Sequence, residues 1–116
     1  MQHDRLYRID MMKAAEATAV FVDSHDRDSF VADDMCRSAV QKKLEIIGEA
    51  SRSISDDLKQ RHPGLPWRQM VALRNIGVHQ YFSIDWYLIW TTAMQHAPRN
   101  RVQIAEILAI EFPGTA

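Results

Sequence analysis

Apolar residues in this chain recur three and four positions apart, the period of an α-helix, and no alternating apolar and polar run frames a hairpin turn such as Asn-Gly. Sheets are therefore not expected. A first helix is predicted over residues 4–22, with Met11, Ala15, Ala19 and Val22 on one loose stripe. The segment VDSHDRDS, Val22 to Ser29, reads as a polar loop ending in an N-cap. A long second helix should then run from about Phe30 to Leu58, burying Val40, Leu44, Ile47, Ile54 and Leu58. Cys36 falls on that stripe as a small core residue, not a reactive thiol.

Pro63, Gly64 and Pro66 stop the second helix, and Pro66 suits the first turn of a third that should reach about His79 or Tyr81. Ser83 and Asp85 offer caps for a fourth, in which Trp86, Trp90, Ala93 and Ala97 share a face. Pro98 is expected to break it. A last helix from Arg99 to about Glu111 would bury Ile104, Ile107 and Leu108, and the tail FPGTA should fray. The expected fold is an all-α, antiparallel bundle of four to five helices.

With 116 residues the chain holds one domain, 1–116, and no second core. The uncharged stretch from Trp86 to Pro98 is 13 residues long and contains Thr91, Thr92, Gln95 and His96, too short and too polar to span a bilayer. The start, MQHDRLYRID, places charges where a signal peptide needs apolar residues, and the single Cys36 cannot form an internal disulfide. Both favour a cytoplasmic protein.

Net charge is −1, but it is unevenly spread. Residues 1–58 carry 12 acidic and 8 basic side chains, whereas residues 59–105 carry only Asp85 against Lys59, Arg61, Arg68, Arg74, Arg99 and Arg101. One end of the fold should then present a positive field able to hold a phosphate backbone or an acidic partner; chance asymmetry on a solvated surface is the plainer alternative. Within the third helix, Arg74 stands amid the apolar face of Trp67, Met70, Val71, Val78 and Tyr81. A guanidinium cannot shed its proton there, so it needs a carboxylate, a phosphate or a way out to solvent. The adjoining face carries Arg68, Asn75 and His79, a polar and basic stripe. Asn75 lies one turn before His79 and could orient its ring. Taken alone, a lone histidine is usually a surface residue, and Tyr81 at helical spacing is usually core. Gly77, a glycine inside a helix, marks close packing or a bend.

The string RNIGVHQY, Arg74 to Tyr81, has the order Arg, four residues, His, one residue, Tyr. It resembles the signature of HepT-like toxins of the HEPN superfamily, small helical ribonucleases paired with a minimal nucleotidyltransferase (MNT) antitoxin. The resemblance extends to KKLEIIGEA, RHPGLPWR and YFSIDWYLIW and covers nearly the whole chain. It implies a metal-independent endoribonuclease without cofactor, with Arg74 and His79 as the catalytic pair, Asn75 beside them, and Tyr81 where the antitoxin adds AMP. The residue types suit this chemistry. A histidine titrating near neutrality can move the proton of the 2′-hydroxyl or of the leaving 5′-oxygen, and an arginine can neutralise the phosphorane. AMP on Tyr81 would bring bulk and negative charge to the site.

Arg74 and His79 are five apart, about 140° around a regular helix, and cannot point the same way from one straight cylinder. A bend near Gly77, a curling Arg74 side chain, or a site assembled from two chains would each resolve this. The resemblance favours the last: a homodimer whose composite RNA cleft is lined by Arg68, Arg74, Asn75 and His79. Glu49 reads as a solvated residue or as the counter-charge that Arg74 needs. The five aspartates from Asp23 to Asp34 lack calcium-loop spacing and read as a solvated turn and helix N-terminus; no metal site is indicated. The competing function is a non-catalytic HEPN module that binds RNA or a nucleotide, or serves as the scaffold subunit of a nucleotidyltransferase complex. A helical DNA-binding domain ranks last, for want of a helix-turn-helix.

Overall fold

Helix α1 (Gln2–Val22) buries Asp4, Arg8, Met11, Ala15, Thr18 and Val22, spaced four, three, four, three and four, against α3 (Asp34–Ser53) and α7 (Ala97–Glu111). This computed structural model describes residues 2–75 and 86–111. Ala19, expected on the stripe, is exposed, and Thr18 takes its place. Its buried hydroxyl donates to the Ala14 carbonyl at 2.9 Å, so the core face accepts a polar residue whose bond is made within its own helix. Asp4 is tolerated for a different reason: its carboxylate accepts from Ser55 Oγ at 2.6 Å and from Ser55 N at 3.0 Å. Burial pushes the Asp4 carboxyl up, but those two bonds outweigh it and hold the group below its ordinary range.

The expected single helix from Phe30 to Leu58 is three: α2 (Arg27–Ala32), α3, and α4 (Asp56–Arg61). Side chains that compete for backbone N–H groups make the breaks. Asp33 is extended, and its carboxylate accepts from Cys36 N at 3.0 Å to open α3. Ser55 is extended too, and its Oγ accepts from Leu58 N at 3.3 Å to open α4. Earlier, Asp26 and Ser29 exchange bonds of 2.8 and 3.0 Å in a capping box, so the polar loop is shorter than expected. The aspartates of this stretch thus include two helix caps. The apolar register survives every break: Cys36, Val40, Leu44, Ile47, Ile54 and Leu58 are all buried. Burial also raises the pKa of the Cys36 thiol, which donates to the Phe21 carbonyl at 3.4 Å and is unreactive core, as its position on the stripe suggests.

Helix α5 (Trp67–Ala72) starts directly after Pro66 and tightens into a 3₁₀ turn, Leu73–Asn75. The Trp67 indole fixes its start, donating to the His62 carbonyl at 2.9 Å with Lys59 Nζ 6.0 Å from the ring. The rest of the expected third helix, with Gly77, His79 and Tyr81, and the proposed caps Ser83 and Asp85 lie outside the described residues, as does the FPGTA tail.

Pro98 does not end the fourth helix. Helix α6 (Trp86–Thr91) passes through a π-helical turn (Thr92–His96) straight into α7. In a regular α-helix the proline ring would strike the carbonyl four residues back. In the wider turn Ala97 N–H reaches Thr92 O, five residues back, and the backbone in front of Pro98 opens to admit the ring. Ile89, Ala93, Ala97, Ile104 and Ile107 are buried along this rod, Leu108 is half-buried, and the Trp90 ring packs on Phe30 with centroids 5.3 Å apart. At its end Glu111 accepts from Arg61 Nη2 at 2.5 Å and lies 3.1 Å from His62 Nε2, fastening α7 to α4. No described helix is long and apolar enough to cross a membrane.

Candidate active site

Glycine inside a helix costs about 1 kcal/mol relative to alanine, so Gly48, deep in α3, calls for a compensating contact. The contact is with Arg74. A Cβ on Gly48 would stand 2.2 Å from Arg74 N and 2.8 Å from both Arg74 Cα and the Leu73 carbonyl carbon. The 3₁₀ turn therefore rests its backbone directly on α3, at the one residue type that lets it approach so closely. Sequence reasoning applied this argument to Gly77 and passed over Gly48, which carried the same signal.

The next residue along α3 is Glu49, and its Oε2 lies 3.8 Å from Arg74 Nη1. Its Oε1 lies 3.3 Å from Arg52 Nη1, so one carboxylate sits between two guanidiniums. The Arg74 side chain is 34% exposed and Glu49 59%. Helical spacing puts Arg74 among apolar neighbours. Met70 is indeed buried and Trp67 and Val71 half-buried, but the winding tightens at Leu73 and the long side chain leaves that face for Glu49 and solvent. At 3.8 Å and with this exposure the pair is held by Coulomb attraction alone, about 1 kcal/mol or less. Position and freedom are thus separated: the backbone of Arg74 is pinned, while its charged head is only lightly engaged.

Asn75 closes the turn and is exposed. Arg68 is exposed on α5 and makes no ion pair among the described residues. Beyond Asn75 the chain is anchored again at Trp86, whose ring lies 4.7 Å beneath the Arg37 guanidinium, and at Tyr87, which has Arg27 at 5.3 Å. The ten residues 76–85, with His79 and Tyr81 among them, join these two anchored ends. The structure thus brings Glu49 and Arg74 together, and places Asn75 and Arg68 on the same short segment. The basic surface is smaller than charge counting suggests. Arg61 is taken up by Asp57 and Glu111, and Arg101 lies 3.8 Å from Glu16, so Arg68 and Arg99 are left as exposed cations without an ion pair among the described residues. No group of three His, Cys, Asp or Glu among the described residues could hold a metal ion.

An all-helical bundle with an arginine pinned by its backbone at the head of an Arg-to-Tyr motif belongs with small helical nucleases, and comparison with known proteins agrees. Residues 11–107 match the family described as Ribonuclease HepT-like. The chain belongs to this family of HEPN-superfamily ribonucleases, RNA-cleaving enzymes. A Methanocaldococcus jannaschii protein named "Putative RNase MJ1380" is 37% identical over 100 residues, 86% of this chain and 92% of its own. A Thermococcus cleftensis protein named "Probable ribonuclease HepT" is 37% identical over 92 residues, 79% of this chain and 84% of its own. A third, "Putative RNase TTE0752" of Caldanaerobacter subterraneus subsp. tengcongensis, is 29% identical over 96% of this chain and 99% of its own. No solved structure matches the chain significantly.

Proposed function

We propose that the chain is the toxin of a toxin–antitoxin pair, an endoribonuclease that needs no metal. The ribose 2′-oxygen attacks the adjacent phosphorus, its proton passing to His79, and the bond from phosphorus to the 5′-oxygen breaks as that oxygen is protonated. A 2′,3′-cyclic phosphate and a 5′-hydroxyl result. Arg74 neutralises the charge of the phosphorane between the two steps. Glu49 and Asn75 are positioning residues, and Arg68 holds a neighbouring phosphate. The protein works as a homodimer with Arg74 of one protomer facing His79 of its partner across the RNA. The MNT-type antitoxin silences it by adding AMP to Tyr81.

The observation that carries this reading is at Arg74. A loose pair with an exposed carboxylate is easily given up for a phosphate, whose two or more oxygens can take a bidentate guanidinium. The backbone contact with Gly48 meanwhile keeps the side chain aimed. Purified protein should cut RNA in EDTA and leave a cyclic phosphate end. Arg74→Ala and His79→Ala should each lower kcat about 100-fold or more with the helical circular dichroism unchanged. Mixing the two inactive variants should recover part of the activity, because a mixed dimer has one intact shared pair. A strict magnesium requirement, or wild-type rates in both variants, would remove the proposed chemistry; no recovery on mixing would place the pair within one chain.

A further inference from the structure

The α5 helix and the π-helical turn do not close on one another. Between them lies a cavity of about 320 Å³, lined on one side by Pro66, Gln69, Met70 and Leu73 and on the other by Thr92, His96, Arg99 and Asn100. The volume is at the lower end of small-ligand sites, about 300–1,000 Å³. The α5 wall is mostly apolar, through Pro66, Met70 and Leu73, and the facing wall is polar. Asn100 is the telling residue. It is only 7% exposed, it faces the cavity, and its amide has no hydrogen-bond partner among the described residues. Its amide atoms are open to the cavity and not sealed in the core, so a ligand seated there can pair with both the donor and the acceptor. Thr92, by contrast, is already engaged, its hydroxyl donating to the Leu88 carbonyl at 2.9 Å.

We propose that this cavity is a nucleotide subsite that seats one unstacked residue of single-stranded RNA beside the Arg74 turn. The base packs between the apolar α5 wall and the His96 ring. Its edge meets the Asn100 amide, which offers a donor and an acceptor together and so discriminates among bases. The exposed Arg99 guanidinium takes the phosphate at the mouth. Leu73 lies in the cavity wall and Arg74 is the next residue, so a strand bound here runs directly to the proposed catalytic arginine. The π-helical turn supplies two of the lining residues, Thr92 and His96, which gives that wide turn a purpose beyond admitting Pro98.

The inference rests on the ribonuclease reading, but its test does not need cleavage. Fluorescein-labelled hexamers of 2′-O-methyl adenosine, cytidine or uridine have no free 2′-hydroxyl and cannot be cut by the proposed route. Wild-type protein should bind one of them several-fold more tightly than the others. Asn100→Leu keeps the side chain's approximate shape and removes its amide, so the helical circular dichroism should be retained. Its Kd for the favoured hexamer should rise about tenfold, and the preference among bases should vanish. Arg99→Gln should weaken all three hexamers alike and lower the salt dependence of binding by about one counterion. Wild-type affinity and preference in Asn100→Leu overturn the subsite, whatever Arg99→Gln does, and so does failure of the wild type to bind any hexamer. If the variants behave as expected but no RNA is cleaved, the catalytic reading fails and the subsite stands. If cleavage depends on Arg74 and both variants bind like wild type, the subsite alone fails.

Discussion

The frame made by α1, α3, α4 and α7 and the turn that carries Arg74 are stabilised in opposite ways. In the frame, several polar groups are closely matched: Asp4 with Ser55, Thr18 with its own helix and, at the outer end of α7, Glu111 with Arg61 and His62. The turn at Leu73–Asn75 instead meets α3 through a missing side chain, at Gly48, and its charge is steadied by an exposed carboxylate at 3.8 Å. The contrast shows how a small bundle can hold a cation in place without using up its charge. Strength is invested in the backbone position, and the head of the side chain remains open to exchange.

The contrast breaks most severely at Gly48. Gly48→Ala would drive a methyl group into backbone atoms that cannot swing aside, so we expect a loss near 3 kcal/mol in urea unfolding, and RNA cleavage falling further than the unfolded fraction explains. Gly64→Ala is the control. Nothing lies within 4 Å of its added Cβ, and stability should stay within about 0.5 kcal/mol. Next in size is Ser55→Ala, which removes the cap of α4 and strips both the side-chain bond and its local geometry from the buried Asp4 carboxylate. A loss of roughly 1–2 kcal/mol with unchanged kcat is expected, and a fall in kcat instead would show that frame and site are not separable.

The clasp at the end of α7 gives a pH dependence. Hydrogen bonds from Arg61, then His62, hold Glu111 at a pKa of about 2 in the folded chain, below its ordinary value of 4.5. A depressed carboxyl stabilises the fold above its unfolded pKa, and that contribution drains away as pH drops from about 4.5 towards 2. Thermal melts of Glu111→Gln should therefore start lower at neutral pH and show a shallower acid decline than wild type; parallel curves would mean the clasp contributes nothing. The smallest effect belongs to Glu49→Gln. An exposed pair at 3.8 Å should change stability by less than about 0.5 kcal/mol. Its consequence should appear as a lower kcat at unchanged KM, with partial recovery in Glu49→Asp.

Helical class and core stripe were readable because burial in a bundle repeats with the helix itself. Cys36, Val40, Leu44, Ile47, Ile54 and Leu58 lie on one face whether the segment is one helix or three, so the misplaced boundaries did not disturb the core. The boundaries were missed although their signals were present: Asp33 and the run Ser55, Asp56, Asp57 are helix-opening residues that an apolar stripe running through them conceals. Pro98 misled in the other direction, since the wide turn before it cannot be inferred from local propensity. On the candidate site, the motif pointed to Arg74 and its need for a counter-charge pointed to Glu49. Gly48 went unnoticed because what it touches is 26 residues further along the chain.

Amino-acid order alone thus specified an all-helical domain, its apolar seam, and the family to which the Arg-to-Tyr motif belongs, since each depends on spacing along a single strand of chain. Folding in three dimensions added what spacing does not contain. It put the backbone of Arg74 against a bare Cα on α3, gave Asp4 its partner in Ser55, and left the Asn100 amide facing an open cavity. Each of these is a meeting of residues far apart in the chain, and whether such groups touch, match or stay unsatisfied depends on how the helices pack, not on the period with which they are written.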